Sequence, residues 1–117
     1  MSFYELGAAE QNQIRARWAA TALEAFGAQT GQTGYFDAPL SIRASLLREI
    51  AGDFLGNLFH LARINGVEPE EITEAAYAHF AEEVTDEERE TEEENAVLDF
   101  RNHGIEQLEE LLKGETK

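Results

Sequence analysis

The chain has 117 residues, no cysteine, and 24 acids against nine lysines and arginines, a net charge of −15. One domain with one core is expected at this length, large enough to fold without disulfides or a structural metal. The missing cysteines exclude thiolate zinc sites and cysteine nucleophiles and suit a reducing cytoplasm. No uninterrupted run of 18 apolar residues occurs, and the start Met1-Ser2-Phe3-Tyr4-Glu5 lacks a basic region followed by an apolar one, so neither membrane insertion nor export is expected.

The charge is uneven. Residues 1–65 hold six acids and five arginines, whereas residues 66–117 hold 18 acids and four basic groups. Such a field repels phosphate backbones and anionic membranes, which need clustered Lys and Arg, so direct nucleic-acid binding is disfavoured. Cations and a basic protein partner remain open.

In chain order, apolar residues recur at three- and four-residue steps and rarely alternate, which predicts helices throughout. The first runs from about Ala8 to Phe26, with Ile14, Trp18, Ala22 and Phe26 as its inward stripe and Gly27 as its C-terminal cap. The polar, glycine-rich stretch from Gln29 to Gly34 reads as a loop pinned by Phe36. Asp37 and Pro39 mark the start of a second, central helix reaching Ile64, with Leu46 or Leu47, Ile50, Phe54, Leu58 and Leu61 inward. Gly52 and Gly56 within it predict close approach of another backbone, because interior glycines weaken a helix.

Pro69, with Glu70 and Glu71 in the first turn, starts a third helix that turns Ile72, Ala76 and Phe80 inward and fades near Val84. Residues 82–94 hold nine acids and one arginine. This acidic stretch reads as a solvated linker or helix extension over 85–95. An amphipathic segment over 96–117 follows, carrying Val97, Ile105, Leu108 and Leu112, and is expected to dock on the bundle core (1–84) or on a second subunit. The fold class is therefore all-α, an antiparallel bundle of four to five helices.

Chemistry concentrates on the second helix. Asp53 lies mid-helix among apolar residues, Glu49 sits one turn before it, and Asn57 and His60 continue the row. Carboxylates on one helix face, opposed by an acid from a neighbour, are what Mg²⁺ requires; Glu24 near the end of the first helix is the expected opposing acid. The competing reading pairs Glu49 and Asp53 with Arg48, Arg43 or Arg17 and makes His60 a hydrogen-bonded residue at the core edge. Neither a serine elbow nor a phosphate loop is present, and Trp18 and the phenylalanines read as core.

The stretch Arg48-Glu49-Ile50-Ala51-Gly52-Asp53, followed by Leu61-Ala62-Arg63, Gly66 and Pro69-Glu70-Glu71, resembles the MazG-like nucleoside triphosphate pyrophosphohydrolases, over residues 46–82. The resemblance implies a MazG-like all-α bundle, a homodimer or larger, that holds Mg²⁺ between two acidic helix motifs and cleaves a nucleotide to its monophosphate and pyrophosphate. Asp53 matches the second motif's aspartate. Glu49 matches a neighbouring acid, Ile50 stands where that motif has glutamate, and Thr21 and Glu24 stand at the spacing of the first motif's two glutamates.

On this resemblance Asp53 and Glu49 are the candidate catalytic residues and Glu24, Glu49 and Asp53 the candidate Mg²⁺ ligands, while Asn57 and His60, which continue the polar row, are the substrate-binding candidates. The expected function is MazG-like nucleotide binding with weakened or lost pyrophosphohydrolase activity. The alternative is an acidic helical interaction protein with a basic partner.

Overall fold

A computed structural model describes residues 2–115, with side chains as far as Lys113. A short 3-10 turn, Phe3–Glu5, precedes α1 (Ala8–Thr30), a hairpin of β1 (Phe36–Ala38) and β2 (Ser41–Ile42), α2 (Ala44–Ile64) and α3 (Pro69–Glu115). The architecture is all-α overall, with three α-helices where four to five were expected. No described helix is long and apolar enough to cross a membrane.

Helix α1 runs one turn past the expected cap. It ends at Gly31, whose φ of 79° is the left-handed conformation that glycine adopts without a side-chain penalty. Gly27 is needed for a different reason: a Cβ there would collide with the Gln32 carbonyl and the Tyr35 ring. Tyr35 is buried over this glycine, and its hydroxyl donates to the Gln32 carbonyl at 2.7 Å.

Residues 36–42 form the hairpin rather than the opening turn of α2. Phe36 pairs with Ile42 and Ala38 with Ser41, antiparallel. Pro39 lies in the connecting turn, where its fixed φ is useful and its missing N–H costs nothing. Phe36 and Ile42 pack on the core, and this burial overrides the helix-start signal of Asp37 and Pro39.

The core is small. Ile50, the most buried large side chain, clusters with Leu23 and Tyr35, and Phe36, Ile42, Leu46 and Phe54 pack around them. Phe26 meets Phe54 edge to face, with ring centroids 5.4 Å apart. The expected α1 stripe is corrected here: Leu23 is buried, Ala22 is exposed, and Trp18 is 59% exposed, stacked on Phe3 at the surface. On α3, Ala76 and Phe80 are also exposed rather than inward.

Helices α1 and α3 run antiparallel. The Ala8 N–H donates to Glu90, Asn12 donates to the Glu83 carbonyl, and Arg15 forms an ion pair with Glu83 at 3.0 Å. Just beyond Glu90, Gly7 borders an open cleft with Glu93, Glu94, Val97, Leu98 and Arg101 of the helix. Residues 85–95 do not interrupt it, because glutamate is a good helix former and extended spacing in water lowers its self-repulsion. The segment expected over 96–117 is described as far as Glu115 and belongs to the same helix; residues 91–113 are all exposed. At 47 residues α3 accounts for the long axis of a molecule measuring 80 × 32 × 30 Å.

Candidate functional site

The position at which the resemblance reserves a motif glutamate is the centre of the core. Ile50 is 1% exposed and faces Leu23, Tyr35 and Phe54. A carboxylate there would lose its hydration among apolar groups without a partner. The first-motif position carries Thr21, whose hydroxyl donates to the Arg17 carbonyl at 3.0 Å within α1. Each substituted residue therefore has a local structural contact of its own.

The polar row on α2 is solvent-facing. Glu49, Asp53, Asn57 and His60 are all exposed, so Asp53 does not sit against the apolar neighbours expected of it. The helical repeat explains the difference. Ile50 and Phe54 take the inward direction, and Glu49 and Asp53 each lie about 100° round the helix from them. Glu49 and Asp53 are neighbours on successive turns, about 5–6 Å apart between Cβ atoms. The expected pairing with Arg43, Arg48 or Arg17 does not occur; the ion pairs among the described residues are Arg15–Glu83 and Arg89–Asp86.

Glu24 is also exposed, and it borders a cleft of about 260 Å³ with Thr33, Gly34, Tyr35 and Phe36. Glu49 and Asp53 do not line that cleft. Among the described residues no group of three or more His, Asp or Glu side chains is gathered to hold a metal ion. The trio Glu24, Glu49 and Asp53 thus does not form a three-carboxylate site within one chain, and a Mg²⁺ ion would meet two adjacent carboxylates on α2.

A second cleft, of about 470 Å³, lies at the α2–α3 turn, lined by Gly56, Phe59, His60, Arg63, Val67 and Pro69 among others. Gly66 makes this turn with a φ of 73°, and the Val67 N–H closes it on the Ala62 carbonyl at 2.9 Å. The cleft combines a guanidinium, an imidazole and an aromatic edge. These suit an anionic group and a planar ring. Asn57 lies outside its lining.

No protein-family model matches the chain, and no curated protein or solved structure does either.

The clefts divide the expected residues. His60 belongs to the turn cleft, Glu24 to the hairpin cleft, and Glu49 with Asp53 to the open face of α2. Arg63 and Phe59 are the residues that spacing did not single out. Their signal was present in the i, i+3, i+4, i+7 relation of Gly56, Phe59, His60 and Arg63, which places them along one side of α2.

Proposed function

We propose that this chain is a MazG-like nucleotide-binding protein, acting in the cytoplasm, whose pyrophosphohydrolase activity is weakened or lost. The observation that carries the reading is the turn cleft. Arg63 and His60 supply cationic and hydrogen-bonding contacts for phosphate oxygens, and Phe59 supplies an aromatic edge for a base. The stretch that resembles the family forms α2, this turn and the start of α3, so the resemblance and the cleft coincide.

Weakened activity follows from charge. Mg²⁺ dehydrates reluctantly and depends on carboxylates to hold it, and of the four motif positions Ile50 and Thr21 contribute none. Glu24 and Asp53 are left at the motif positions, with Glu49 one turn before Asp53 on α2. The four- to five-helix arrangement of the family would need helices from more than one copy of this three-helix chain.

The test is thermal stabilisation by a panel of nucleoside mono-, di- and triphosphates with Mg²⁺, with pyrophosphate release measured in parallel. A ligand at 100 times its dissociation constant stabilises by about 2.7 kcal/mol. Stabilisation that Arg63→Ala removes is expected, with little or no pyrophosphate released. Failure of every nucleotide to raise the melting temperature would sink the reading; turnover abolished by Asp53→Asn would make the chain an active enzyme.

One observation favours the second reading, an acidic interaction protein. Glu88, Glu92, Glu93 and Glu94 are exposed on α3. A basic protein partner would then bind in a salt-sensitive way. Pull-downs unaltered by changing these four residues to glutamine would defeat it.

A further inference from the structure

The turn cleft holds little positive charge. Among the described residues, Arg63 supplies its one guanidinium and His60 its one imidazole, while Glu68 borders the same space. All three are exposed, so each can turn toward a ligand. Neither Arg63 nor Glu68 is held in an ion pair among the described residues. Phe59, Val67 and Pro69 complete an apolar wall.

The helix terminus beside the cleft adds no seat for an anion. A helix N-terminus binds phosphate through free backbone N–H groups. At the start of α3, Pro69 has no N–H to offer, and the Glu68 N–H donates to the Glu71 carboxylate at 2.9 Å. Glu70 and Glu71 place two more carboxylates in the first turn. The acids that could carry Mg²⁺ lie elsewhere. Asp53 precedes Arg63 by ten residues, about 15 Å along the helix axis, and neither Asp53 nor Glu49 borders the cleft.

Space is not what limits the ligand. Gly56 borders the cleft, and a Cβ at Gly52 or Gly56 would meet nothing within 4 Å. The close approach of another backbone expected at these glycines is therefore absent among the described residues, and at Gly56 the missing side chain widens the cleft instead. Its volume of about 470 Å³ falls in the range of small-molecule sites, roughly 300–1,000 Å³. Charge, rather than room, decides how many phosphates it can take.

We propose, on the nucleotide reading above, that the cleft selects nucleoside monophosphates over triphosphates, with Arg63 as the phosphate clamp and Glu68 as the residue that turns longer phosphate chains away. A monophosphate carries a charge of about −1.5 to −2 near pH 7. One bidentate guanidinium and a hydrogen bond from His60 can match it. Each further phosphoryl group adds negative charge with no further cation to meet it, within reach of Glu68, Glu70 and Glu71. The cleft thus fits the product of a pyrophosphohydrolase better than its substrate, in keeping with Ile50 and Thr21 at the motif positions.

Isothermal titration of the full chain with adenosine and uridine mono-, di- and triphosphates, in EDTA and in Mg²⁺, tests the selection. In EDTA, monophosphates are expected to bind about tenfold more tightly than triphosphates, the order of effect of unit charges several ångströms apart in a solvated cleft. The difference should narrow in Mg²⁺, which neutralises part of the triphosphate. Arg63→Ala should weaken every nucleotide. Glu68→Gln should tighten the triphosphates and leave the monophosphates nearly unchanged. Glu10→Gln, which removes a carboxylate at the Glu90 end of the molecule, should change no ratio. All three side chains are exposed, so circular dichroism of the variants should match the wild type. Triphosphates that bind as tightly as monophosphates in EDTA, or a ratio unmoved by Glu68→Gln, would overturn the proposal and leave nucleotide binding standing. Silence of every nucleotide would instead overturn the nucleotide reading, and this selection with it.

Discussion

The Glu90 carboxylate accepts a hydrogen bond from the Ala8 backbone N–H at 2.6 Å, tying the start of α1 to a residue 82 positions later. The helix needs this donor-to-carboxylate contact because its own N-cap, Gly7, has no side chain to offer. A carboxylate at a helix N-terminus satisfies an orphan N–H and favours the helix dipole. Glu90→Ala should destabilise the fold by about 1 kcal/mol, and Glu90→Gln by less. Thermal melts should show a fall of roughly 4–8 °C per kcal/mol for a domain of about this size. An unchanged melting temperature for Glu90→Ala would show that the N-terminus of α1 is held some other way.

Three groups converge near Arg15. Its guanidinium pairs with Glu83 at 3.0 Å and lies 5.1 Å from the centre of the Phe3 ring. Both partners of the ion pair are about one-third exposed, so its coupling should be small, about 0.2–1 kcal/mol in a double-mutant cycle of Arg15→Ala and Glu83→Ala. High salt should reduce that coupling. Arg15→Ala alone should cost more than Glu83→Ala, since it also removes the contact with Phe3. Equal single-mutant costs would contradict this.

Ile50 anchors the core. Truncation to alanine should cost about 2–5 kcal/mol, the range for deleting buried methyl groups. Ile50→Glu, which would rewrite the residue to the family's motif, should lower stability at least as much without conferring pyrophosphate release. Urea melts and the nucleotide assay check both halves. A stable, hydrolytic Ile50→Glu chain would mean that this position can turn to solvent.

Gly27 should tolerate no side chain. Alanine would gain about 1 kcal/mol of helix propensity, but its methyl would meet the Gln32 backbone carbonyl and the Tyr35 ring. Overpacking of this kind costs about 1–3 kcal/mol. The net effect in a denaturant titration should be destabilisation. A stabilised Gly27→Ala chain would show that Tyr35 moves freely.

Much of the local structure was legible from residue order. Pro69 opens α3 as its position and the following Glu70 and Glu71 indicate, and Asn65-Gly66 ends α2. Both signals act within a few residues. Leu46, Ile50, Phe54 and Leu58 also face inward to the extent that one chain has an interior, whereas Leu61 of the same expected stripe is 58% exposed. On α1 Trp18 has the same period as Phe26, yet α2 packs against Leu23 and Phe26 and leaves Trp18 against Phe3. The hairpin leaves no alternation pattern in the sequence, because its strands span three and two residues.

The candidate site was legible only as a row. Spacing placed Glu49, Asp53, Asn57 and His60 along one side of α2 and identified Asp53 as unusual. It could not assign that side to water, because the direction of burial depends on where α1 and the hairpin settle. Nor could it join His60 to Arg63, Val67 and Pro69 in a cleft, which requires the turn at Gly66 to fold α3 back.

By itself the sequence determined an all-α chain, a helix opening at Pro69, a break at Gly66 and a strongly acidic second half. Those properties rest on hydrogen bonds, caps and charges that act between near neighbours in the chain. Tertiary structure alone decided that Ile50 rather than an acid occupies the centre, that Asp53 meets water, that Glu90 caps α1, and that outer α3 stands uncovered. Each of these is a relation between distant segments, and burial is set by what packs against a residue, not by its own period.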